Sequence, residues 1–293
     1  MQNSPTERLF AILERQRSAF AEEMNPTVAV RQNRLARIAA MGDKHAAQIV
    51  EAISADFGHR SAQETQMAEL VYVGAAIRHA ERHLERWMKP RRMPTAMHYR
   101  PASNRLLRQP LGVVGIIAPW NYPYQLALAP AVAAIAAGNR VMLKPSELTP
   151  RFSELLARMV AEFFDEGEMA VIIGDAQTGK SFTELPFDHL FFTGSTAVGR
   201  MVAQAAAKNL TPVTLELGGK SPAILDPSSE LATVAPRLAF GKLLNAGQTC
   251  IAPDYAFVPK DRIDAFVEAM QRAVAKMYPR LAANPDYTSI VSD

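Results

Sequence analysis

Residues 112–144 read GVVGIIAPWNYPYQLALAPAVAAIAAGNRVMLK, and this stretch predicts the fold. It begins with a short apolar run at Gly112–Ala118 and continues through a small-residue segment of helical length at Gln125–Ala137. A second apolar run follows at Arg140–Lys144. Strands that alternate with helices of ten or more residues are typical of a parallel sheet with helices on its faces. The stretch therefore predicts a strand–helix–strand unit.

The same alternation continues towards the C-terminus. Further strands are predicted at Met169–Ile173, His189–Thr193 and Pro212–Leu217, and further helices at Thr149–Phe164 and Ala197–Lys208. We therefore expect an α/β fold built on a Rossmann-type doubly wound parallel sheet. Sheets of this kind bind ligands beyond the carboxyl ends of their strands, so residues that directly follow strands become the candidates for function.

The first hundred residues predict helices instead of strands. Apolar side chains recur at helical spacing from Val28 to Phe57 and again from Glu64 to Met88, where Pro90 ends the pattern. Within the second helix, His79 and His83 are four residues apart, but no further ligands accompany them. We expect a packed or solvated pair and no metal site.

Composition limits the function classes. The 293 residues are 48% hydrophobic and 21% charged, as in a globular protein in water, and 32 basic residues nearly balance 29 acidic ones. This balance argues against a nucleic-acid partner. One cysteine and no signal-peptide pattern favour the cytoplasm. The uncharged stretch between Arg108 and Arg140 is long enough to span a bilayer, but prolines and polar residues at 119–125 interrupt it, so we expect no membrane span.

The single cysteine suggests covalent chemistry. Cys250 ends the tetrapeptide GQTC, and Glu216 begins the segment ELGGK. An ionised thiol is a strong nucleophile, and a carboxylate is a base that activates water. The pair suggests that sulfur captures a carbonyl carbon and that the carboxylate later helps water to release the product. The alternative is that Cys250 is a small buried hydrophobic residue.

A second candidate lies in the loop after the first predicted strand, PWNYP. Its two prolines, Pro119 and Pro123, restrict the backbone, so the loop can hold the Asn121 amide in a fixed place. That amide can donate a hydrogen bond to a developing oxyanion. The alternative is a turn asparagine that bonds to its own backbone.

The loop after the second predicted strand, KPSE, suggests sugar binding. Lys144 and Glu147 can both hydrogen-bond sugar hydroxyls, and a carboxylate there repels a 2′-phosphate, which favours NAD over NADP. The same residues also suit the start of a helix.

The fourth predicted strand leads into TGSTAVG, which includes Thr193, Gly194, Ser195 and Gly199. Glycines allow the backbone to approach a phosphate closely, and the N-terminus of the following helix supplies N–H donors. A rival phosphate-binding pattern, GxxxxGK[ST], occurs at Gly174–Ser181 and predicts a nucleotide hydrolase. Such a loop opens directly into a helix, and Pro186 argues against a helix there.

Five motifs follow one another in order, namely PWNYP, KPSE, FTGSTAVG, ELGGKSP and GQTC, and together they resemble the aldehyde dehydrogenase superfamily. The resemblance covers nearly the whole chain from about Glu7, and it is strongest to bacterial members that oxidise aromatic aldehydes of the coniferyl type. It implies an N-terminal helical region at 1–100 that packs on a dinucleotide-binding domain at 101–215. A partial catalytic domain at 216–293 follows.

The resemblance also implies a role for each candidate. Cys250 is the implied nucleophile, Asn121 and the Cys250 backbone N–H bind the oxyanion, and Glu216 activates the hydrolytic water. The implied reaction oxidises an aldehyde to the carboxylic acid with NAD, NADP being possible, and the implied full-length assembly is a homodimer. Residues implied at the cofactor site are Trp120, Lys144, Glu147, Thr193, Gly194, Ser195 and Gly199.

The chain departs from the family pattern after Cys250. No E-x-F-G-P segment follows, whose glutamate contacts the nicotinamide ribose in relatives, and the rest of the catalytic domain and the oligomerisation strand are missing. We therefore expect a C-terminally truncated chain that exposes the apolar face of an unfinished sheet. Three functions remain open for it: an active dehydrogenase, a cofactor-binding fragment without activity, and the nucleotide hydrolase that Gly174–Ser181 predicts.

Overall fold

The computed structural model describes residues 5–281 and 284–292. A π-helical turn, Gln66–Val71, joins the third and fourth helices. The α-helices are α1 (Pro5–Glu22), α2 (Val28–Asp56), α3 (Ala62–Thr65), α4 (Tyr72–Met88), α5 (Pro123–Ala136), α6 (Pro150–Phe163), α7 (Ala176–Thr183), α8 (Thr196–Ala207), α9 (Leu231–Leu243) and α10 (Ile263–Met277). The strands are β1 (Arg91–Met93), β2 (Asn104–Leu106), β3 (Val113–Ile117), β4 (Arg140–Lys144), β5 (Met169–Val171), β6 (His189–Gly194), β7 (Val213–Leu217), β8 (Ser221–Ile224) and β9 (Pro253–Phe257).

Five parallel strands form the central sheet, in the order β5–β4–β3–β6–β7. The chain builds the sheet outwards from β3 in one direction and then, from β6, in the other. This order confirms the predicted doubly wound sheet, and all five strands lie within two residues of their predicted bounds. The change of direction between β3 and β6 marks the crevice at which such sheets bind ligands.

The strands contribute side chains alternately to two cores. Val114 of β3 joins a core with α2, α4, α5 and α6 on one face, whereas Val113 joins a core with α1, α7 and α8 on the other. In β7, Leu215 and Leu217 pack against this second core. Because neighbouring strand residues point to opposite faces, Glu216 lies on the face that carries α5.

The N-terminal helices agree with the sequence pattern except at one place. The helix predicted from Val28 to Phe57 is α2, but the helix predicted from Glu64 to Met88 is divided into α3, the π-helical turn and α4. The π-helical turn contains Glu69, a fully buried carboxylate that accepts hydrogen bonds from the first N–H groups of α5. A local interruption of this kind leaves no mark in apolar periodicity, and π-helical turns are frequent near functional sites.

The C-terminal part contains a second, smaller sheet. Here β8 and β9 pair in parallel, and α9 and α10 pack against each other beside them. Ile224 is 76% exposed and Phe257 is 58% exposed, although both are large apolar strand residues. The expected exposure of an apolar sheet face is therefore confirmed.

Helix α2 is attached to the sheet through a partly buried ion-pair group. Arg34 Nε lies 2.8 Å from Glu168 Oε1, and Arg37 Nη1 lies 2.7 Å from Glu168 Oε2. Burial by itself would raise the pKa of Glu168, but hydrogen bonds and charge from Arg37 and Arg34 hold this pKa at about 2, against an ordinary 4.5. The ionised form of Glu168 therefore stabilises the fold.

We expect Glu168 to make the free energy of unfolding depend on pH. Its folded pKa lies below the unfolded value, so its contribution is complete above about pH 4.5 and is lost as the pH falls towards about 2. The loss is on the order of 3 kcal/mol. The free energy of unfolding, measured with urea, should differ less between pH 6 and pH 3 in Glu168→Gln than in the unmodified chain. Glu166→Gln, which removes an exposed pair with Arg15, is the control, and equal differences in all three proteins would contradict the assignment.

No helix among the described residues is long and apolar enough to cross a bilayer.

The sequence did not predict the short antiparallel pair β1–β2, whose residues are all exposed. Strands of three residues contain too few alternations to produce a recognisable pattern.

Candidate active site

The loop after β3 holds Asn121 through both its backbone and its side chain. Its carbonyl oxygen accepts hydrogen bonds from Arg60 Nη1 and from Asn245 Nδ2, each at 3.0 Å. Its own Nδ2 donates to the Gln248 carbonyl oxygen at 3.0 Å, so the amide bonds across to another loop and not to its own turn. The amide nitrogen carries two hydrogens, and the second is left for an incoming oxygen.

The segment before Cys250 has an unusual backbone. Asn245 and Ala246 have φ values of 52° and 54°, and Gly247 has a φ of 78°. Left-handed conformations cost non-glycine residues about 1–2 kcal/mol each, and they persist only where surrounding contacts impose them. One such contact is the Glu64 carboxylate, which accepts the Asn245 backbone N–H at 3.2 Å through both oxygens. The local strain therefore lies directly before the candidate nucleophile.

Gln248 has hydrogen bonds at every polar group of its side chain. Its Nε2 donates to the carbonyl oxygens of Asn245 at 2.9 Å and Ser289 at 3.0 Å. Its Oε1 accepts the Val291 N–H at 3.0 Å. Since both donors and the acceptor are used, the side chain serves to fix the loop that carries Cys250.

Tyr122 forms a further link between the two loops. Its hydroxyl lies 2.7 Å from Thr249 Oγ1, next to Cys250. Burial raises the pKa of Tyr122, so the phenol stays neutral and remains a hydrogen-bond partner at neutral pH. The Arg60 guanidinium lies 4.9 Å from the centre of the Tyr122 ring and 5.0 Å from that of Phe57. These contacts fix the tyrosine ring beside the cysteine loop.

Cys250 itself is a free, exposed thiol. The alternative of a buried, hydrophobic cysteine is therefore wrong. A Cβ atom built on Gly219 would lie 3.0 Å from the Cys250 carbonyl oxygen, so the loop after β7 contacts the cysteine backbone directly. The absence of a side chain at Gly219 permits this approach.

Glu216 lies near the end of β7, opposite Thr193 of β6 in the sheet register. Its side chain is exposed and makes no hydrogen bond or ion pair with another residue of the described ranges. The carboxylate is therefore accessible to water. Contacts thus bring Asn121 and the Cys250 loop together. Glu216 is connected to them through the loop after β7, in which Gly219 approaches the Cys250 carbonyl oxygen.

Strand β4 ends in a buried lysine. Lys144 Nζ donates to the Pro145 carbonyl oxygen at 2.8 Å and lies 3.6 Å from Glu147 Oε2. Burial lowers the pKa of Lys144, although the Glu147 carboxylate opposes the shift. Glu147 is about half exposed, so its second oxygen can accept a hydrogen bond from a ligand at the strand end.

The start of α8 offers unsatisfied donors. Ser195 is the N-cap, and its hydroxyl accepts the Val198 N–H at 3.2 Å, which leaves the two preceding N–H groups without a partner in the helix. Thr193 Oγ1 is buried and has no hydrogen-bond partner in the described structure. Such groups fit the phosphates and hydroxyls of a dinucleotide.

The remaining cofactor candidates have packing roles. A Cβ atom on Gly199 would lie 2.7 Å from Leu217 Cδ2, so this glycine allows close packing of α8 on β7. A Cβ atom on Gly194 would lie 2.5 Å from Phe192 Cζ, so this glycine leaves room for the Phe192 ring of the same strand. The Trp120 ring lies 6.3 Å from that of Phe57 at the edge of the first core.

The sequence contains the patterns of two rival sites. The expectation that Pro186 prevents a helix after the GxxxxGK[ST] pattern is wrong, because α7 runs from Ala176 to Thr183. This helix starts inside the pattern, so the N–H groups of Gly179–Ser181 belong to a helix and cannot surround a phosphate. The nucleotide-hydrolase alternative is wrong. The rings of His79 and His83 are 4.2 Å apart and pack on Trp87, and no cluster of metal-binding side chains occurs in the part of the chain that the structure describes.

The chain is similar in sequence to known aldehyde dehydrogenases. The sequence profile of the aldehyde dehydrogenase family matches residues 1–292. A probable coniferyl aldehyde dehydrogenase of Pseudomonas aeruginosa is 47% identical over 286 residues, which cover 98% of this chain and 60% of that protein. A coniferyl aldehyde dehydrogenase of a Pseudomonas species is also 47% identical, and the match covers 98% of this chain and 59% of that protein. The chain thus spans about 60% of the length of these curated relatives.

Solved structures agree with this result. The substrate-bound structure of Staphylococcus aureus AldH has a TM-score of 0.94 and 36% identity, and the match covers 99% of this chain and 63% of that one. The Mycobacterium tuberculosis aldehyde dehydrogenase complexed with NAD+ has a TM-score of 0.84 and 28% identity, and the match covers 98% of this chain and 60% of that chain.

Proposed function

The chain belongs to the aldehyde dehydrogenase family, and on this premise we propose that it oxidises an aldehyde to the carboxylic acid with Cys250 as the nucleophile. One observation supports this most strongly. The Asn121 amide is hydrogen-bonded to the loop of an exposed cysteine and still has one N–H to spare. A nucleophile beside a fixed donor is the arrangement that carbonyl addition requires.

In the first step, Cys250 Sγ attacks the carbonyl carbon and the π electrons of the carbonyl move to its oxygen. The remaining Asn121 N–H and the Cys250 backbone N–H bind this oxygen in the thiohemiacetal. Loss of one such donor typically costs about 2.7–4 kcal/mol of transition-state stabilisation. The contacts to Arg60, Asn245 and Gln248 support this step because they fix the amide before the substrate arrives.

A nicotinamide dinucleotide, when bound, would supply the acceptor for the hydride of the thiohemiacetal carbon, and Cys250 would then hold the product as a thioester. Glu216 takes a proton from water, and the resulting hydroxide adds to the thioester carbonyl. The C–S bond breaks, the carboxylic acid leaves, and the thiolate is restored. The exposed, unpaired carboxylate of Glu216 supports its role as this base.

The cofactor is proposed to lie across the carboxyl ends of β3, β4 and β6. The unsatisfied N–H groups at the start of α8 and the unpaired Thr193 hydroxyl support this position. The Glu147 carboxylate supports NAD over NADP, because it repels a 2′-phosphate. The residues proposed to hold the cofactor are Trp120, Lys144, Glu147, Thr193, Gly194, Ser195 and Gly199.

The proposed substrate is an aromatic aldehyde of the coniferyl type, and the names of the two Pseudomonas relatives support this choice. We also propose a cytoplasmic protein that forms a homodimer when complete. The domain limits at residues 100/101 and 215/216 stay predictions.

Incubation of the purified chain with NAD and coniferyl aldehyde tests the function through the absorbance of the reduced cofactor. We expect absorbance to rise only when protein, cofactor and aldehyde are all present. A rise with a C-terminally extended chain but not with this one would favour the silent-fragment alternative. No rise with either protein would overturn the proposal.

Replacing the proposed base should separate the two halves of the reaction. We expect Glu216→Gln to release about one equivalent of reduced cofactor per active site and then to slow by about 10²–10⁴-fold, because an amide cannot take the proton from water. Rapid mixing should record this burst, and mass spectrometry should find the acyl group on Cys250. Glu268→Gln, an exposed change on α10, is the control. A linear time course at the unmodified rate would remove Glu216 from the mechanism.

A further inference from the structure

Asn245 is bonded to both candidate catalytic loops at once. Its Nδ2 donates to the carbonyl oxygens of Asn121 at 3.0 Å and Gln248 at 3.2 Å. Its backbone N–H donates to Glu64. Its own carbonyl oxygen accepts both the N–H and the Nε2 of Gln248. Asn245 is completely buried, so these contacts are formed away from water.

The residue type suits this position for two reasons. Asparagine tolerates the left-handed backbone better than other non-glycine residues, and Asn245 has a φ of 52°. Its side chain also supplies two N–H donors from one nitrogen, so it can satisfy two carbonyl oxygens that point towards the same place. Glycine would keep the backbone shape but lose the donors, and aspartate would present an oxygen to both carbonyls.

We propose that Asn245 is a positioning residue that fixes the Asn121 amide relative to Cys250, with the buried carboxylate of Glu64 as its anchor. This inference rests on the proposed function. Asn245 does not contact the reacting atoms itself. It acts on the Asn121 backbone from one side, while the Gln248 carbonyl oxygen orients the Asn121 side chain from the other. Both contacts determine where the free N–H of Asn121 points.

The energetic consequence follows from the sensitivity of catalysis to position. A displacement of about 1 Å of a catalytic group can cost about 10²-fold in rate. Apart from Trp120, the residues proposed to bind the cofactor follow β4 and β6 or lie on α8, and Asn245 has no hydrogen bond to them in the described structure. A positioning role therefore predicts a lower kcat with an unchanged KM for NAD.

Three variants test the proposal. Asn245→Gly retains the backbone conformation without the side-chain donors, and Asn245→Asp retains the size but reverses the hydrogen-bonding character. Leu210→Gly is the matched control, because Leu210 also has a positive φ, at 56°, but is 88% exposed and remote from both loops. Leu210→Gly therefore relieves backbone strain as Asn245→Gly does, but it removes no side-chain hydrogen-bond donor.

We expect kcat for cofactor reduction to fall about 10- to 100-fold in Asn245→Gly and further in Asn245→Asp, with KM for NAD unchanged. Alkylation of Cys250 by iodoacetamide needs no oxyanion donor, so its rate in Asn245→Gly should stay within about twofold of the unmodified rate. Leu210→Gly should change neither quantity. An unchanged kcat in Asn245→Gly, or equal losses of turnover and alkylation, would overturn the positioning role.

Hydrogen exchange provides a readout that does not need turnover. In Asn245→Gly, peptides that cover 119–123 and 244–250 should both exchange faster, while peptides of β6 keep their protection. Failure of the unmodified chain to reduce cofactor would overturn the proposed function. The exchange rates would still test whether Asn245 positions the two loops. Faster exchange in both loops supports it, whereas faster exchange confined to 244–250 contradicts it.

Discussion

Cys250→Ser is expected to lower the rate of cofactor reduction by on the order of 10³-fold or more, since an alcohol cannot replace a thiolate as the nucleophile without a strong base beside it. The change removes the atom that bonds to substrate and leaves the surrounding loop intact. Because Cys250 is exposed, the free energy of unfolding should change by no more than about 0.5 kcal/mol. Loss of activity in a stable protein would locate the defect in the chemistry.

The measurement is the initial rate of absorbance change with NAD and aldehyde, together with a urea unfolding curve. Ile251→Ser is the control, because it introduces the same residue at the next position, where the side chain is 77% exposed. We expect it to retain most of the activity. Cofactor reduction by Cys250→Ser at the rate of the unmodified protein would exclude a covalent sulfur intermediate.

Glu69→Ala is expected to produce the largest loss of stability, about 3–5 kcal/mol of the free energy of unfolding. Glu69 Oε1 lies 2.9 Å from Arg60 Nη1, and both side chains are completely buried. Glu69 Oε2 accepts the backbone N–H groups of Tyr124 at 2.7 Å and Gln125 at 3.0 Å. Alanine would leave a buried guanidinium without its counter-charge and the start of α5 without its acceptor.

The large effect has an electrostatic reason. Burial raises the pKa of Glu69, against the opposing effects of Arg60 and the two backbone N–H groups. Both charges of the pair lose their hydration when the protein folds. When one partner is removed, the other charge stays buried without an opposite charge to compensate for its lost hydration.

Urea unfolding of Glu69→Ala, Arg60→Met and the double variant measures this coupling. We expect the double variant to lose less than the sum of the single losses, because neither charge is then left alone. Glu85→Ala, which removes an exposed helical pair with Lys89, should lose less than about 0.5 kcal/mol. Additive losses at Glu69 and Arg60 would refute the pairing.

Local sequence patterns were sufficient for the central sheet. The strands β3 to β7 are short apolar runs separated by helices and turn residues, and each pattern reports on its own few neighbours. The predicted candidates Lys144 and Thr193 therefore lie at the carboxyl ends of β4 and β6, and Asn121 lies in the loop after β3. Their catalytic and binding roles stay predictions.

The contacts that hold the candidate site together had no such signal. Glu64 and Asn245 are separated by 181 positions, and Arg60 and Asn121 by 61. Neither Glu64 nor Arg60 belongs to a recognisable motif, and each looks in the sequence like an ordinary charged residue near the start of a helix. Their burial was also unforeseen, because charged residues are seldom buried unless they have partners.

Sequence patterns were enough to identify the family, the five strands of the central sheet with α5, α6 and α8, and the candidate nucleophile, because periodicity, turn residues and short motifs are properties of neighbouring positions. Long-range folding was needed to show that residues 62–71 supply buried carboxylates to the segment before Cys250 and to the start of α5, and that Asn245 joins the two candidate catalytic loops in a strained backbone conformation. The physical reason is desolvation. A hydrogen bond between distant residues becomes valuable once folding has removed the water that would otherwise satisfy both partners.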